Sequence, residues 1–270
     1  MYISGTPLSC KTLFQILMPA ISDSLLETII ELQALSSLKN AYLGGGTNLA
    51  IRFNHRESVD IDLFFSGIIG KSGYNEIEKE LREHFGDRLS SYHYPCNKDD
   101  QFIFSRCWIK TGFFNIKVEI LQNTNFLDDG EEINGARLAT TRDIGLLKLM
   151  TAANRGAFKD IYDLDYLSEQ ISLKKLLDDL KHKQETFNKP QHKTIFDEDG
   201  EISPVEDPLS LLRFEKASSQ RKDRPSHSDH RIIPVEGSKN IMSAKSSYRR
   251  KIRRLCTELG IEFPGIESVN

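Results

Sequence analysis

The stretch Ser58-Val59-Asp60-Ile61-Asp62-Leu63-Phe64 constrains this chain more than any other. Residues alternate with a period of two: Val59, Ile61 and Leu63 fall on one side, Asp60, Asp62 and Phe64 on the other. That pattern predicts a β-strand with one buried face. It also puts two carboxylates at i and i+2 on the same face, close together. Adjacent aspartates repel one another at neutral pH, and holding them together costs free energy unless a cation compensates. An oxygen-preferring divalent ion answers that need, and Mg²⁺ commonly takes one or two protein carboxylates plus substrate phosphates. Taken alone, an Asp-x-Asp on a strand is more often a solvated edge than a metal site.

The upstream segment changes the balance. Ala41-Tyr42-Leu43 runs into Gly44-Gly45-Gly46-Thr47. Glycines followed by a hydroxyl residue offer backbone N–H groups that phosphate oxygens can approach closely. Gly45, Gly46 and Thr47 are therefore candidate phosphate-binding residues, and Asp60 and Asp62 the candidate metal pair. A third carboxylate is available in Phe114–Leu121, where Glu119 lies opposite Ile116, Val118 and Ile120. If that strand pairs beside Asp60 and Asp62, Glu119 completes the metal site or accepts a proton from an attacking hydroxyl.

Around these segments the chain reads as mixed α+β. Helical spacing covers Leu13–Lys39, Tyr74–Phe85, Thr141–Leu167 and Leu173–Glu185, with a possible capping box at Thr140–Asp143. A short helix is expected over Asn48–Phe53. Strands are expected over Gln101–Lys110 and Phe113–Leu121, joined by a hairpin. Five of the nine prolines lie between Pro190 and Pro234, which predicts irregular structure, and Ser246–Leu259 closes the chain as a short basic helix. The organisation expected is a catalytic core over 1–135, a helical segment completing the site over 136–188, and a Pro/Ser-rich extension over 189–270.

Composition narrows the class. With 39% hydrophobic residues and a net charge of −3, the chain as a whole is not intrinsically disordered. No apolar run approaches the roughly 20 residues that span a bilayer. The four cysteines are scattered without a CxxC pair, and no signal peptide is visible, so a cytoplasmic protein is expected. The charge is unevenly spread: Gly237–Cys256 holds seven Lys or Arg and no acid. Such a run is a candidate RNA-backbone contact, or a solvated terminus. His227-Ser228-Asp229-His230 is a weak metal motif, lacking a Cys or third His nearby.

The segments Leu43–Ala50, His55-Arg56 and Ser58–Phe64 resemble the first motif of the AbiEii/AbiGii-type nucleotidyltransferase toxins, a branch of the DNA polymerase β-like superfamily. The resemblance continues at Lys148–Arg155 and Phe158–Leu164 and covers about Leu13–Glu185. It implies a nucleotidyltransferase-like mixed sheet with flanking helices. It further implies Mg²⁺, with two metals expected and Mn²⁺ as a substitute, a nucleoside triphosphate donor, and an RNA acceptor such as a tRNA 3′ end. A role in a toxin–antitoxin or phage-defence system, with a cognate antitoxin, belongs to the same implication. In the family a lysine contacts the nucleotide phosphates, which falls here on Lys148, and an aspartate follows in a later motif, here Asp160. The family's third carboxylate is an aspartate where this chain has Glu119.

The residues themselves agree in part. Lys148 and Arg155, at i and i+7, share one helix face, and Asp160 and Asp163, at i and i+3, can hold those cations in place. His55 and Arg56 have two readings: contact with phosphate or base, or, for Arg56, an ion pair with Glu57 or Asp60. Two rival functions share the sequence features: an antibiotic-type transferase acting on a small molecule, and a non-catalytic nucleotide- or antitoxin-binding module.

Overall fold

The computed structural model describes residues 20–112, 114–197, 200–215 and 231–265. Seven strands form one mixed sheet in the order β3-β4-β5-β2-β1-β7-β6. They are β1 (Tyr42–Leu43), β2 (Ile61–Phe64), β3 (Leu89–Asn97), β4 (Ile103–Thr111), β5 (Phe114–Leu121), β6 (Glu131–Ile133) and β7 (Ala136–Leu138). β2 runs parallel to β5 and β1 parallel to β7; the remaining neighbours are antiparallel.

Two helices cover one face. In α1 (Asp23–Gln33), Ser22 Oγ accepts the Leu25 N–H at 3.1 Å, and Leu25, Ile29 and Leu32 are buried. In α3 (Gly70–Phe85), Tyr74, Ile77, Leu81 and Phe85 are buried at helical spacing. They pack on the inward residues of β2, β4 and β5, including Ile61, Leu63, Cys107, Ile109, Val118 and Ile120. The helix expected over Leu13–Lys39 is realised from Asp23, with a 3₁₀ turn at Ser36–Leu38; Leu13–Pro19 lies outside the described residues. Phe113, expected to open a strand, also lies outside them, as does His227–His230.

A second core lies beyond β7. It is built from α4 (Thr141–Arg155), α5 (Phe158–Leu167), α6 (Leu173–Thr186), a 3₁₀ segment (Pro208–Glu215) and α7 (Ile241–Leu259). Thr140 caps α4 as expected, its Oγ1 accepting from Asp143 N at 3.1 Å. The helical pattern over Thr141–Leu167 is two helices rather than one, because Gly156 takes a left-handed φ of 62° and ends α4. From the segment after 189, Leu211, Tyr248, Ile252, Leu255 and Cys256 are buried in this core. α7 is thereby a packed helix with one basic face.

Two elements escaped the sequence reading. β3 carries Pro95 and is half-exposed along its length, as suits an edge strand whose pattern is weak. The β6–β7 hairpin turns through Asn134-Gly135, both at positive φ (56° and 80°), a hairpin signal that was present in the sequence.

Candidate active site

The predicted carboxylate strand exists, but it is shorter than the alternation suggests. Ordered pairing begins at Ile61, and Val59 is 68% exposed rather than sharing the buried face of Ile61 and Leu63. The segment before Ile61 is tied elsewhere: Ser58 N–H bonds to Ala20 O, and the Thr47 hydroxyl donates to Asp60 O. Asp62 projects from the outer face of β2, and Asp60 sits just before the strand with its side chain partly exposed.

β5 pairs beside β2 with Asp62 level with Glu119, so the topology brings the third carboxylate alongside. Its carboxylate is already engaged. Arg106 on β4 donates to Glu119 Oε1 at 2.5 and 2.8 Å, and Lys117 Nζ lies 3.2 Å from Oε2 and 3.3 Å from Asp60 Oδ2. Burial alone would raise the Glu119 pKa, but Lys117 and Arg106 outweigh it and hold it below the ordinary value. Among the described residues no group of three or more His, Cys, Asp or Glu is gathered to hold a metal. Of the expected set, Glu119 stands level with Asp62 and has its carboxylate engaged by Arg106 and Lys117, while Asp60 is approached by Lys117.

Asp62 differs from Glu119. Burial, then the charges of Glu119 and Asp60, push its carboxyl up to about 6, against the compensating pull of Lys117. Like charges left under-compensated beside a buried carboxyl, all with oxygen donors, fit a hard divalent cation held by Asp60 and Asp62.

Helix α2 (Gly45–Phe53) meets these carboxylates with its N-terminus. The helix expected from Asn48 thus begins three residues earlier, taking the glycines as its first turn. Its first intrahelical bond is Asn48 N to Gly44 O, so the N–H groups of Gly45, Gly46 and Thr47 precede the ladder. Gly44 N–H bonds to Asp62 O at 2.8 Å, which fixes this end of the helix to β2. Gly45 has φ +61°, and a Cβ there would fall on the Asp62 carboxylate; a Cβ on Gly46 would fall on the Arg56 guanidinium. The two glycines thus pass between an acid and a base, and side chains are excluded by both. The Thr47 hydroxyl is spent on Ser58 Oγ, at 2.8 Å, and on Asp60 O.

Arg56 answers a different carboxylate from those anticipated. Its Nε and Nη2 donate to Asp163 Oδ1 and Oδ2 at 2.7 and 2.8 Å, while Glu57 contributes only its backbone oxygen. His55 Nε2 donates to Asp163 Oδ1 at 2.8 Å, and Lys148 Nζ lies 2.7 Å from Asp163 Oδ2 and 2.8 Å from Asp160 Oδ1. All five side chains are buried. Burial alone would raise the Asp163 pKa, but Arg56 and Lys148 hold it well below the usual carboxylate range. Burial alone would likewise depress Lys148, but Asp160 and Asp163 keep its ammonium charged. Lys148 is also near enough to Asp62 to lower its carboxyl. Arg155, expected on the Lys148 face, is exposed at the end of α4. Asp163 was expected with Asp160 to hold the helix cations, and it does pair with Lys148; that it also takes His55 and Arg56, and so becomes the hub, had no signal in the sequence.

The N-terminus of α2, the two aspartates and the buried Lys148 thus lie near one another. Residues 31–231 match the family described as Nucleotidyl transferase AbiEii toxin, Type IV TA system. The chain belongs to this family.

Similarity beyond the AbiEii family match is more distant. An uncharacterized protein of Aquifex aeolicus (strain VF5) is 31% identical over 141 residues, which span 52% of this chain and 64% of that protein. MenT4, a nucleotidyltransferase toxin of Mycobacterium tuberculosis H37Rv, aligns over 87% of this chain and 92% of its own at 11% identity and a TM-score of 0.40. The Megavirus polyadenylate synthase aligns over 61% of this chain but 39% of its own, at 12% identity and a TM-score of 0.34. No described helix is long and apolar enough to cross a membrane.

Proposed function

We propose that this AbiEii-family chain transfers a nucleoside monophosphate from a nucleoside triphosphate to an acceptor hydroxyl, acting as a toxin on RNA. One observation carries the reading: the glycine turn is pinned between Asp62 and Arg56, so the free N–H end of α2 adjoins the carboxylate pair. The N–H groups of Gly45, Gly46 and Thr47 receive the phosphates, aided by the positive end of the helix. Asp60 and Asp62 hold Mg²⁺, which when bound supplies charge neutralisation at the reacting phosphate. Lys148 contributes a positive field behind the phosphates, kept charged by Asp160, and Arg56 supports the turn from below. Glu119 acts through Arg106 and Lys117, which it holds on the outer face beside Asp60. Attack by the acceptor oxygen on the α-phosphorus, with its proton released to solvent, forms the new phosphodiester as the bond to the β-phosphate oxygen breaks and pyrophosphate leaves. Positioning and charge compensation supply most of the rate in such chemistry.

The test incubates the protein, Mg²⁺ and each α-labelled nucleoside triphosphate with total bacterial RNA, beside Asp62→Ala. Label in an RNA band for the wild type alone supports the reading and names the donor base. Equal labelling by Asp62→Ala, or no labelling by either, removes it. Expression in cells should show growth arrest for the wild type and relief by a cognate antitoxin.

A further inference from the structure

The outer face of the sheet continues past the carboxylates. Asp62 on β2 is level with Glu119 on β5, Glu119 with Arg106 on β4, and Arg106 with His93 on β3. In the next row Lys117 is level with Trp108. The opposite faces of these strands, with Cys107, Ile109 and Val118, are sealed in the core. On the outer face Trp108 is half-buried and His93 exposed, and their rings stack with centroids 5.5 Å apart and planes 17° apart. At about 4.8 Å per strand, the pair lies roughly 10–15 Å from β2.

The strand order gives this pair a direction. The glycine turn follows β1, on one side of Asp62, and β5, β4 and β3 extend on the other. A donor whose phosphates sit on the α2 N-terminus therefore leaves the β4–β3 side to the second substrate. A chain crossing from the rings to the carboxylates passes over Arg106 and Lys117. Paired aromatic rings beside cations suit single-stranded RNA, whose unstacked bases pile on aromatic side chains whatever their sequence.

We propose that His93 and Trp108 form a stacking platform for an upstream base of a single-stranded RNA acceptor whose terminal hydroxyl reaches Asp60 and Asp62. The proposal rests on the transferase reading above. It assigns the acceptor's path, which the family match does not.

Trp108 is the chain's single tryptophan, so its fluorescence reads the platform directly. The full chain is titrated with a short mixed-sequence single-stranded RNA bearing a free 3′-hydroxyl, without nucleoside triphosphate. Saturable quenching is expected, and His93→Ala should weaken the affinity roughly tenfold, with recovery in His93→Phe. In turnover His93→Ala should raise the KM for RNA and leave that for the triphosphate unchanged. Unchanged fluorescence with RNA overturns the proposal, as does wild-type affinity in His93→Ala. Quenching by the triphosphate alone, lost in His93→Ala, also overturns it by giving the rings to the donor base. The two readings fail separately. RNA quenching without any transfer keeps the platform and removes the transferase, whereas transfer indifferent to His93 does the reverse.

Discussion

Gly45 and Gly46 show how little freedom single residues have at this site. Gly45 needs its left-handed φ of +61°, and both glycines lack room for a Cβ, one against Asp62 and the other against Arg56. Gly45→Ala should cost about 1–3 kcal/mol in urea unfolding and displace the Asp62 carboxylate, with triphosphate binding by calorimetry reduced at least tenfold. Asp62 makes a second prediction at this scale. Its carboxyl, pushed up to about 6 by burial and by Glu119, lies above the ordinary aspartate value near 4, so its protonated form favours the fold. That contribution is present below about pH 4 and lost as pH rises through about 6. Without divalent metal, Asp62→Asn should therefore be more stable than the wild type at pH 7 by about 1–3 kcal/mol, with the gap closing near pH 4. Mg²⁺ should raise the melting temperature of the wild type and leave that of Asp62→Asn unmoved. A metal response equal in both proteins would remove Asp62 from the ligand set.

Elements explain why the end of the chain matters. α7 buries Ala244, Tyr248, Ile252, Leu255 and Cys256 against the helical core, while Arg250, Arg253 and Arg254 stay exposed. The basic run is legible as one face of an amphipathic helix, but the docking of its apolar stripe on α5 and α6 is not. Lys251 is recruited inward, donating to Asp165 O and lying 2.9 Å from Asp165 Oδ1. Ile252→Ala should destabilise the protein by about 2–5 kcal/mol, because the cavity opens where three helices meet. Arg250→Ala, on the exposed face, should stay within about 0.5 kcal/mol in the same denaturation series. Equal effects of the two would mean that the helix is not docked as described. The Asn134-Gly135 turn belongs here too: its signal was readable, yet three-residue strands flanking it offer too little alternation to be recognised.

At the scale of the whole molecule, the Asp163 hub joins the two layers. His55 and Arg56 come from the end of α2 and the loop before β2, Lys148 from α4, and Asp160 and Asp163 from α5. Removing the shared carboxylate leaves Arg56 and Lys148 buried against Asp160 alone. Asp163→Asn should cost about 3–5 kcal/mol at pH 7 by urea unfolding. The sign with pH is opposite to that of Asp62. Asp163 titrates well below 3.8 in the fold, so its stabilisation is present above that value and lost as pH falls below it. The gap between wild type and Asp163→Asn should therefore narrow in acid. A gap constant down to pH 2 would show that the hub acts by packing and not by charge.

What the sequence by itself determined was local. Alternation and spacing placed Asp62 and Glu119 on strand faces and Lys148 on a helix, because periods of 2 and 3.6 decide which residues share a face; Asp60 falls just before its strand and the glycines fall inside their helix. Family resemblance added the chemistry those groups serve. Tertiary structure alone decided what each group answers to. Glu119 meets Asp62 only through the parallel pairing of β2 with β5, and it is restrained by Lys117, two residues before it on the same strand, and by Arg106, which arrives on the neighbouring β4. Arg56 turns to Asp163, 107 positions away, because a buried guanidinium takes the carboxylate that packing brings to it, not the nearest one along the chain. Charge partners across a fold are set by which surfaces are buried together, and no period in the sequence records that.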